Sequence, residues 1–295
     1  MQLRSTQIRH SFRHASRAVQ SIFADYTALI EPLSLDEAFL DVSDTKACKG
    51  SATLIAQEIR RRVREEVGIT ISAGIAPNKF IAKVASDWNK PDGQYVVLPA
   101  QVDEFVKELA VKKIFGVGKV TAAKMHSLGI QTCGDLRAYS IAELSDLFGS
   151  FGEKLYRLAR GIDERPVNPD RIRKSLSVEN TYVQDLPNLQ ACLEKLPELH
   201  EQLEKRLQRV QVDYDISKKY VKLKFNAFVS TTIEAMSITT ALEDYIALCS
   251  DAFVRGNRPV RLLGLGVKLE PKSPKNPTAQ QAPHPRKRQL PLRLE

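Results

Sequence analysis

The sequence predicts an α+β protein of two or three domains, and three observations predict it. Residues 28–98 alternate strand-like and helix-like runs, residues 99–162 read as short helices cut by glycines, and residues 171–269 follow a strand–helix–strand–strand–helix–strand order. A chain of 295 residues suits that count at about 100–200 residues per domain.

Composition removes several classes. The chain is 43% hydrophobic, which excludes disorder throughout. No stretch approaches the roughly 18 uninterrupted apolar residues of a membrane span. Cys48, Cys133, Cys192 and Cys249 lie far apart with no CxxC pair, which argues against a zinc ribbon or a disulfide framework and fits a reducing cytosol. Of the formal net charge of +9, more than half sits beyond Pro271, where six basic residues face one acid. A basic tail on a mildly basic body points to a polyanionic partner, nucleic acid before membrane.

The elements follow in order. Met1–Ala24 holds four arginines and no acid, a transit-peptide composition, but it has no apolar h-region. Val19, Ile22, Phe23 and Tyr26 instead fall on one helical face, so a folded helix with a basic solvated side is expected. Ile30–Ser34 and Ala38–Val42 are short apolar runs around an acidic pair. Ser51–Glu66 reads as a helix capped by Ser51, Ile69–Ile75 as a buried strand, Lys79–Asp87 as a helix and Tyr95–Leu98 as a strand. Arg165–Pro169, with two prolines, reads as a linker. Beyond it, one long helix is expected over Leu189–Val210 and another over Ala241–Val254, with a last strand at Val260–Leu269. The tail carries six of the 15 prolines and no aromatic residue, and is expected to be disordered.

Several segments could carry chemistry. Asp36 and Glu37, in Ser34-Leu35-Asp36-Glu37, should sit at a bend between strands, because inside a strand they would point to opposite faces. Adjacent carboxylates stay ionised together only beside water or a cation, and Mg²⁺ takes such oxygen ligands with substrate phosphates completing its shell. A bare acidic pair is ordinarily an exposed turn, but apolar sequence on both sides makes this a poor place for one. Lys79 should lie at a helix N-terminus, where backbone N–H groups favour anions, and Lys90 before Pro91 is held extended, able to aim its ammonium at a phosphate. By itself that second segment reads as an ordinary turn. Gly116 and Gly118, with Lys119, fit a helix–hairpin–helix that grips nucleic-acid backbone without reading sequence. It is not a dinucleotide GxGxxG, since position 121 is Thr. Phe148–Gly152 repeats that theme weakly. Arg171 and Arg173, alternating with Ile172 before Lys174 and Ser175, would face one side of a strand, a phosphate track or a solvated face. Finally, Gln289-Leu290-Pro291-Leu292-Arg293-Leu294 is the tail's only apolar cluster, shaped like a tethered docking peptide.

In order and spacing, SLDEAFLDV, SAGIAPNKFIAKVASDWNKPDG, IFGVGKVTAAKMHSLGI, GIDERPV, RKSLSVENT and the QLPLRL ending resemble the Y-family DNA polymerases, of the bacterial polymerase IV (DinB) type. The resemblance covers about residues 14–270 and the last few residues. It implies a right-hand polymerase, copying damaged templates without proofreading: palm over 1–98, thumb over 99–165, linker 166–173, little finger over 174–270 and a tail over 271–295 with a clamp-binding peptide. It further implies that Asp36 and Glu37 hold catalytic Mg²⁺ and that Lys90 contacts the dNTP triphosphate. Gly116, Gly118 and Lys119, with Arg173, Lys174 and Ser175, would hold primer–template and damaged DNA. Gln289, Leu290, Leu292 and Leu294 would bind the sliding clamp. The implied protein is a cytoplasmic, nucleoid-associated monomer with no membrane.

The sequence departs from the family pattern at its start. Members open with a strand bearing the first metal-binding aspartate, followed by the fingers, whereas here there is no acid before Asp25. The expectation is therefore a palm truncated at its N-terminus, with two carboxylates where three are usual and weakened hold on metal and triphosphate. A polymerase and a catalytically dead module that holds DNA and the clamp are the two readings. A glycosylase or nuclease built on the helix–hairpin–helix leaves the acidic pair and the βαββαβ domain without a role.

Overall fold

The basic N-terminal stretch folds as helix α1 (Gln2–Ala24), followed by an antiparallel hairpin of β1 (Ile30–Pro32) and β2 (Ala38–Leu40). These belong to a computed structural model that describes residues 2–170 and 172–272, with side chains from Phe12 onward. The chain divides into two units, Met1–Arg171 and Ile172–Glu295.

In the first unit α2 (Ala52–Arg62) starts at Ser51, whose hydroxyl accepts the Leu54 N–H, and runs on through one π turn to Gly68. The sequence puts Leu54, Ile55, Ile59 and Val63 on one apolar face; Ile55, Ile59 and Val63 bury against Ile22 and Tyr26, whereas Leu54 is exposed. Next come β3 (Ala73–Ile75), α3 (Lys79–Ala85) and β4 (Gln94–Val96), a βαβ unit with a parallel strand pair. The strand expected over Ile69–Ile75 is only its last three residues. The partner β4 reaches no further than Ala73, so Ile69–Ser72 have no ladder to join. Helix α3 lies directly on β3: a Cβ at Gly74 would stand 2.0 Å from the Ala82 carbonyl oxygen.

Short helices follow: α4 (Val102–Lys107), α5 (Lys119–Ser127), α6 (Cys133–Leu136), α7 (Ile141–Phe148) and α8 (Gly152–Leu158). Thr132 with Asp135, and Ser140 with Glu143, form capping boxes that start α6 and α7. Phe80, Ile81 and Val84 of α3 share one core with Val106, Met125, Leu144, Leu155 and Leu158. Helix α3 thus packs with the helical layer on one side and with β3 on the other.

The second unit runs β5 (Ser175–Leu186), α9 (Leu189–Leu193), α10 (Leu196–Leu207), β6 (Tyr214–Phe225), β7 (Ser230–Met236), α11 (Leu242–Val254) and β8 (Val260–Pro271). The strands form one antiparallel sheet in the order β5-β8-β6-β7. Leu199, Leu203 and Leu207 of α10 and Tyr245, Cys249 and Phe253 of α11 bury against Val221, Leu223 and Val267 of the sheet. The single helix expected over Leu189–Val210 is two. Pro197 has no N–H and its ring would meet the carbonyl four residues back, at Leu193, where α9 ends. The strand expected to carry Arg173 starts only at Ser175, where pairing with Lys268 begins. Among the described residues no helix is long and apolar enough to cross a membrane.

Close packing at Gly74 makes a sharp expectation. Gly74→Ala should lower the unfolding free energy by about 1–3 kcal/mol in urea melts. Gly118→Ala, which meets nothing within 4 Å, should cost under about 1 kcal/mol.

Candidate active site and nucleic-acid surfaces

The acidic pair occupies the bend of the β1–β2 hairpin. The Leu33 and Ser34 N–H groups both donate to the Glu37 carbonyl oxygen, at 2.8 and 3.2 Å, which turns the chain outward at Leu35 and Asp36. The Ser34 hydroxyl donates to Asp36 Oδ1, and this bond holds the Asp36 carboxyl below the usual range against a small opposing effect of burial. Lys83 and Lys90 draw it down further. Glu37 Oε1 faces Lys83 Nζ at 2.5 Å.

Helix α3 delivers Lys83, and its first turn is tied to distant chain. Asn78 accepts the Ile81 N–H and donates to the Gly161 carbonyl at 2.8 Å. Asp163, with its side chain only 3% exposed, accepts the Phe80 N–H at 2.9 Å and pairs with Arg165 at 2.6 Å. Burial would raise the Asp163 pKa, but the Arg165 guanidinium and the two backbone donors hold it low. The sequence places Lys79 near this N-terminus, where N–H groups favour anions, and in the structure the anions there are the chain's own carboxylates. The Asp163 carboxylate already fills the position, and Lys79 is buried against Glu31, the Pro166 carbonyl and the Phe39 ring. The Asn168 N–H also reaches Glu31, at 2.8 Å.

Lys90 lies exposed after α3, its ammonium 2.6 Å from Asp87, across a cis bond to Pro91. Asp87 raises the Lys90 pKa, and Glu37 and Asp36 add to the rise. Asp36, Glu37, Asp87, Lys83 and Lys90 therefore form one charged cluster, beside an aromatic group of Trp88, Tyr95 and Phe105. Lys83 escaped the sequence reading, although it stands four residues after Lys79 and so on the same helix stripe.

The donor set suits magnesium. Two carboxylates on one bend fit one Mg²⁺ ion that fills its other positions with water and phosphate oxygens. Among the described residues no group of three or more His, Cys, Asp or Glu side chains could hold a metal, so the bend's own carboxylate donors number two.

At the second predicted segment, Gly116 adopts φ +101° with the Phe151 ring 3.1 Å from where a Cβ would sit, which admits glycine alone. Gly118 begins α5 with no side-chain cap, and Lys119 stands exposed in its first turn. The first-turn N–H groups of α5 thus have no side-chain cap and lie beside a cation.

In the second unit Arg173, Lys174 and Ser175 are all exposed. The Arg173 N–H donates to the Tyr214 hydroxyl and the Lys174 carbonyl accepts from Leu269, so the chain is pinned where β5 starts. Arg171 and the four clamp-peptide residues Gln289, Leu290, Leu292 and Leu294 lie outside the described residues. The outer sheet face carries Lys218, Lys222, Lys224 and Lys268, which the sequence reading missed. Their signal was the alternation of lysines with Val221, Leu223 and Phe225 along β6. Lys222 crosses Gly264 to reach Glu179 at 2.9 Å, and Lys268 lies over the Tyr220 ring.

Known proteins match along most of the chain. Residues 6–87 match the impB/mucB/samB family, residues 112–163 the DNA polymerase-iota thumb domain, and residues 173–279 the impB/mucB/samB family C-terminal domain. DNA polymerase IV of Ectopseudomonas mendocina (strain ymp) is 58% identical over 258 residues, covering 88% of this chain and 73% of that protein. The chain belongs to the Y-family DNA polymerases. DNA polymerase IV of Pseudomonas entomophila (strain L48) is 56% identical with the same coverage. Among solved Y-family structures, the chimera Dbh-Dpo4(243-245)-Dbh is similar at a TM-score of 0.77 and 26% identity, over 87% of this chain and 75% of that one. The insertion ternary complex of Dbh DNA polymerase is similar at 0.57 and 25%, with the same coverage. In this Y-family chain the acidic bend and α3 fall within the first matched region, and the glycine hairpin within the thumb match.

Asp163 gives a pH expectation. Its folded pKa is depressed, so its contribution is present above the unfolded value near 3.9 and is lost as pH falls through the folded one. Asp163→Asn should cost about 1–3 kcal/mol at pH 7 and lose less stability than wild type between pH 5 and 2, read by urea melts.

Proposed function

We propose that the chain carries out template-directed nucleotidyl transfer on primer–template DNA, as an error-prone, lesion-tolerant polymerase of the polymerase IV type. The observation that carries this reading is the Asp36–Glu37 bend, set beside Lys83 and Lys90 within the family match. Residues 1–98 would serve as palm, 99–165 as thumb and 174–270 as little finger, with 166–173 as linker and 271–295 as a clamp-binding tail. The protein would act as a cytoplasmic monomer on the nucleoid.

Asp36 and Glu37 would hold magnesium, which supplies Lewis acidity toward the primer 3′-hydroxyl and the transferring phosphoryl group. Lys90, exposed and already charged by its carboxylate neighbours, can exchange Asp87 for triphosphate oxygens and orient the dNTP. The hairpin at Gly116, Gly118 and Lys119 would bind backbone phosphates through N–H groups and one ammonium. Arg173, Lys174, Ser175 and the lysines of the outer sheet face would add a second, sequence-independent contact.

One observation favours a second reading, a DNA- and clamp-binding module without synthesis: the bend offers two carboxylates, and among the described residues no third acid is placed to share a metal ion with them. Primer extension by residues 1–295 with Mg²⁺ and four dNTPs separates the two. Extension that Glu37→Gln abolishes supports the polymerase, whereas retained DNA binding without extension supports the module. DNA affinity should fall steeply with salt, and replacing Lys218, Lys222 and Lys224 with glutamine should flatten that dependence by about 0.9 in slope for each phosphate no longer neutralised. Replacing Leu292 and Leu294 with alanine should weaken binding to the sliding clamp in surface plasmon resonance and leave bare-DNA affinity unchanged.

A further inference from the structure

Two lysines of α3 meet two glutamates of the β1–β2 hairpin. Lys79 pairs with Glu31 on β1, and four residues on, along the same helix stripe, Lys83 pairs with Glu37 at the bend. The two pairs differ in exposure. Lys79 and Glu31 are 9% and 18% exposed, and the Pro166 carbonyl and the Asn168 N–H complete their hydrogen bonds. Lys83 and Glu37 are 24% and 40% exposed, and the contact opens toward Asp36. The inner pair is locked, and the outer one is free to exchange.

We propose that Lys83 is a built-in counter-ion for the acidic bend, which a divalent cation displaces from Glu37 in order to bind. This rests on the reading of Asp36 and Glu37 as metal ligands. The ties at Asn78, Lys79 and Asp163, with the close seat of α3 on β3, keep the helix from sliding, so the ammonium stays within reach of Glu37. Its flexible stem lets it swing into solvent without moving the backbone. While no metal is bound, the pair holds Glu37 aimed at the bend and offsets the repulsion between neighbouring carboxylates. Binding is then an exchange of one cation for another, and the metal competes with an ion pair the protein already makes. Lys90, which is hydrogen-bonded to Asp87, acts on the bend only through space and does not occupy Glu37.

The test is a Mn²⁺ titration of the full chain at fixed pH and ionic strength, with free and bound ion separated by electron paramagnetic resonance. Lys83→Met, which keeps the stem and removes the charge, should bind Mn²⁺ about fivefold more tightly than wild type, the size of one partly screened ion pair. In a Glu37→Gln background the gain from the same replacement should shrink to the weaker through-space effect of Lys83 on Asp36. Equal affinity of wild type and Lys83→Met, or weaker binding by the variant, overturns the counter-ion role and leaves the metal-ligand reading standing. If neither protein binds Mn²⁺, the metal-ligand reading fails and the counter-ion role falls with it. A second measurement needs no variant. Acetylation of wild-type Lys83, followed by mass spectrometry, should rise at saturating Mg²⁺ relative to Lys205, whose partner Glu201 lies in the other unit. An unchanged ratio overturns the proposal.

Discussion

The arrangement at the acidic bend depends on where α3 begins, and polar ties fix that point more tightly than apolar packing could. Asn78, Lys79 and the Phe80 N–H reach two distant stretches of chain: Glu31 on the hairpin, and the segment that holds Gly161, Asp163 and Pro166. Gly161, Asp163 and Glu31 are buried or half-buried, so leaving any of them unmatched would cost a desolvated polar group. Apolar contacts alone let a short helix rotate or slide by a turn at little cost. Directional bonds from three successive positions to two separate segments do not. The lysine stripe on α3 therefore points one way, toward the hairpin.

The same logic appears once more in the second unit. Lys219 is almost fully buried on the helix-facing side of β6, among Val221, Leu223 and Phe225, and pairs with Asp244 in the first turn of α11. An ammonium buried there demands its carboxylate, which sets α11 against the sheet at one position. Its neighbours Lys218 and Lys222 point to the other face and pair with Glu234 and Glu179 at the surface. One strand thus holds a lysine that orders the core and lysines that form a charged outer face, and only the parity of position along the strand divides them.

Charge is also graded between the two surfaces proposed to meet DNA. The glycine hairpin offers backbone N–H groups and one lysine, with no side-chain carboxylate capping α5. The outer sheet face mixes lysines with two glutamates that hold them in place. The first suits a close grip on a single phosphate. The second suits a broad and exchangeable contact with many.

Much of this was legible in the residues alone. The apolar positions Ile55, Ile59 and Val63, the cap at Ser51 and the βαββαβ order follow from local periodicity and hydrogen-bonding chemistry, which neighbours in sequence decide. Asp36 and Glu37 could be placed at a bend because strands on either side leave adjacent carboxylates no common face. What lay beyond reach were pairings set by distance in the chain. The start of α3 could be read as a place for anions, but local sequence could not show that Glu31 from 48 residues away and Asp163 from 83 would be those anions. The strand at Ile69 shortened because its partner was short, and Lys83 gained its meaning only when α3 was laid across the hairpin. Local sequence determined which elements form and which side chains are charged; tertiary structure decided which charges meet, because a buried ion pair is chosen by the whole packing and not by its neighbours in the chain.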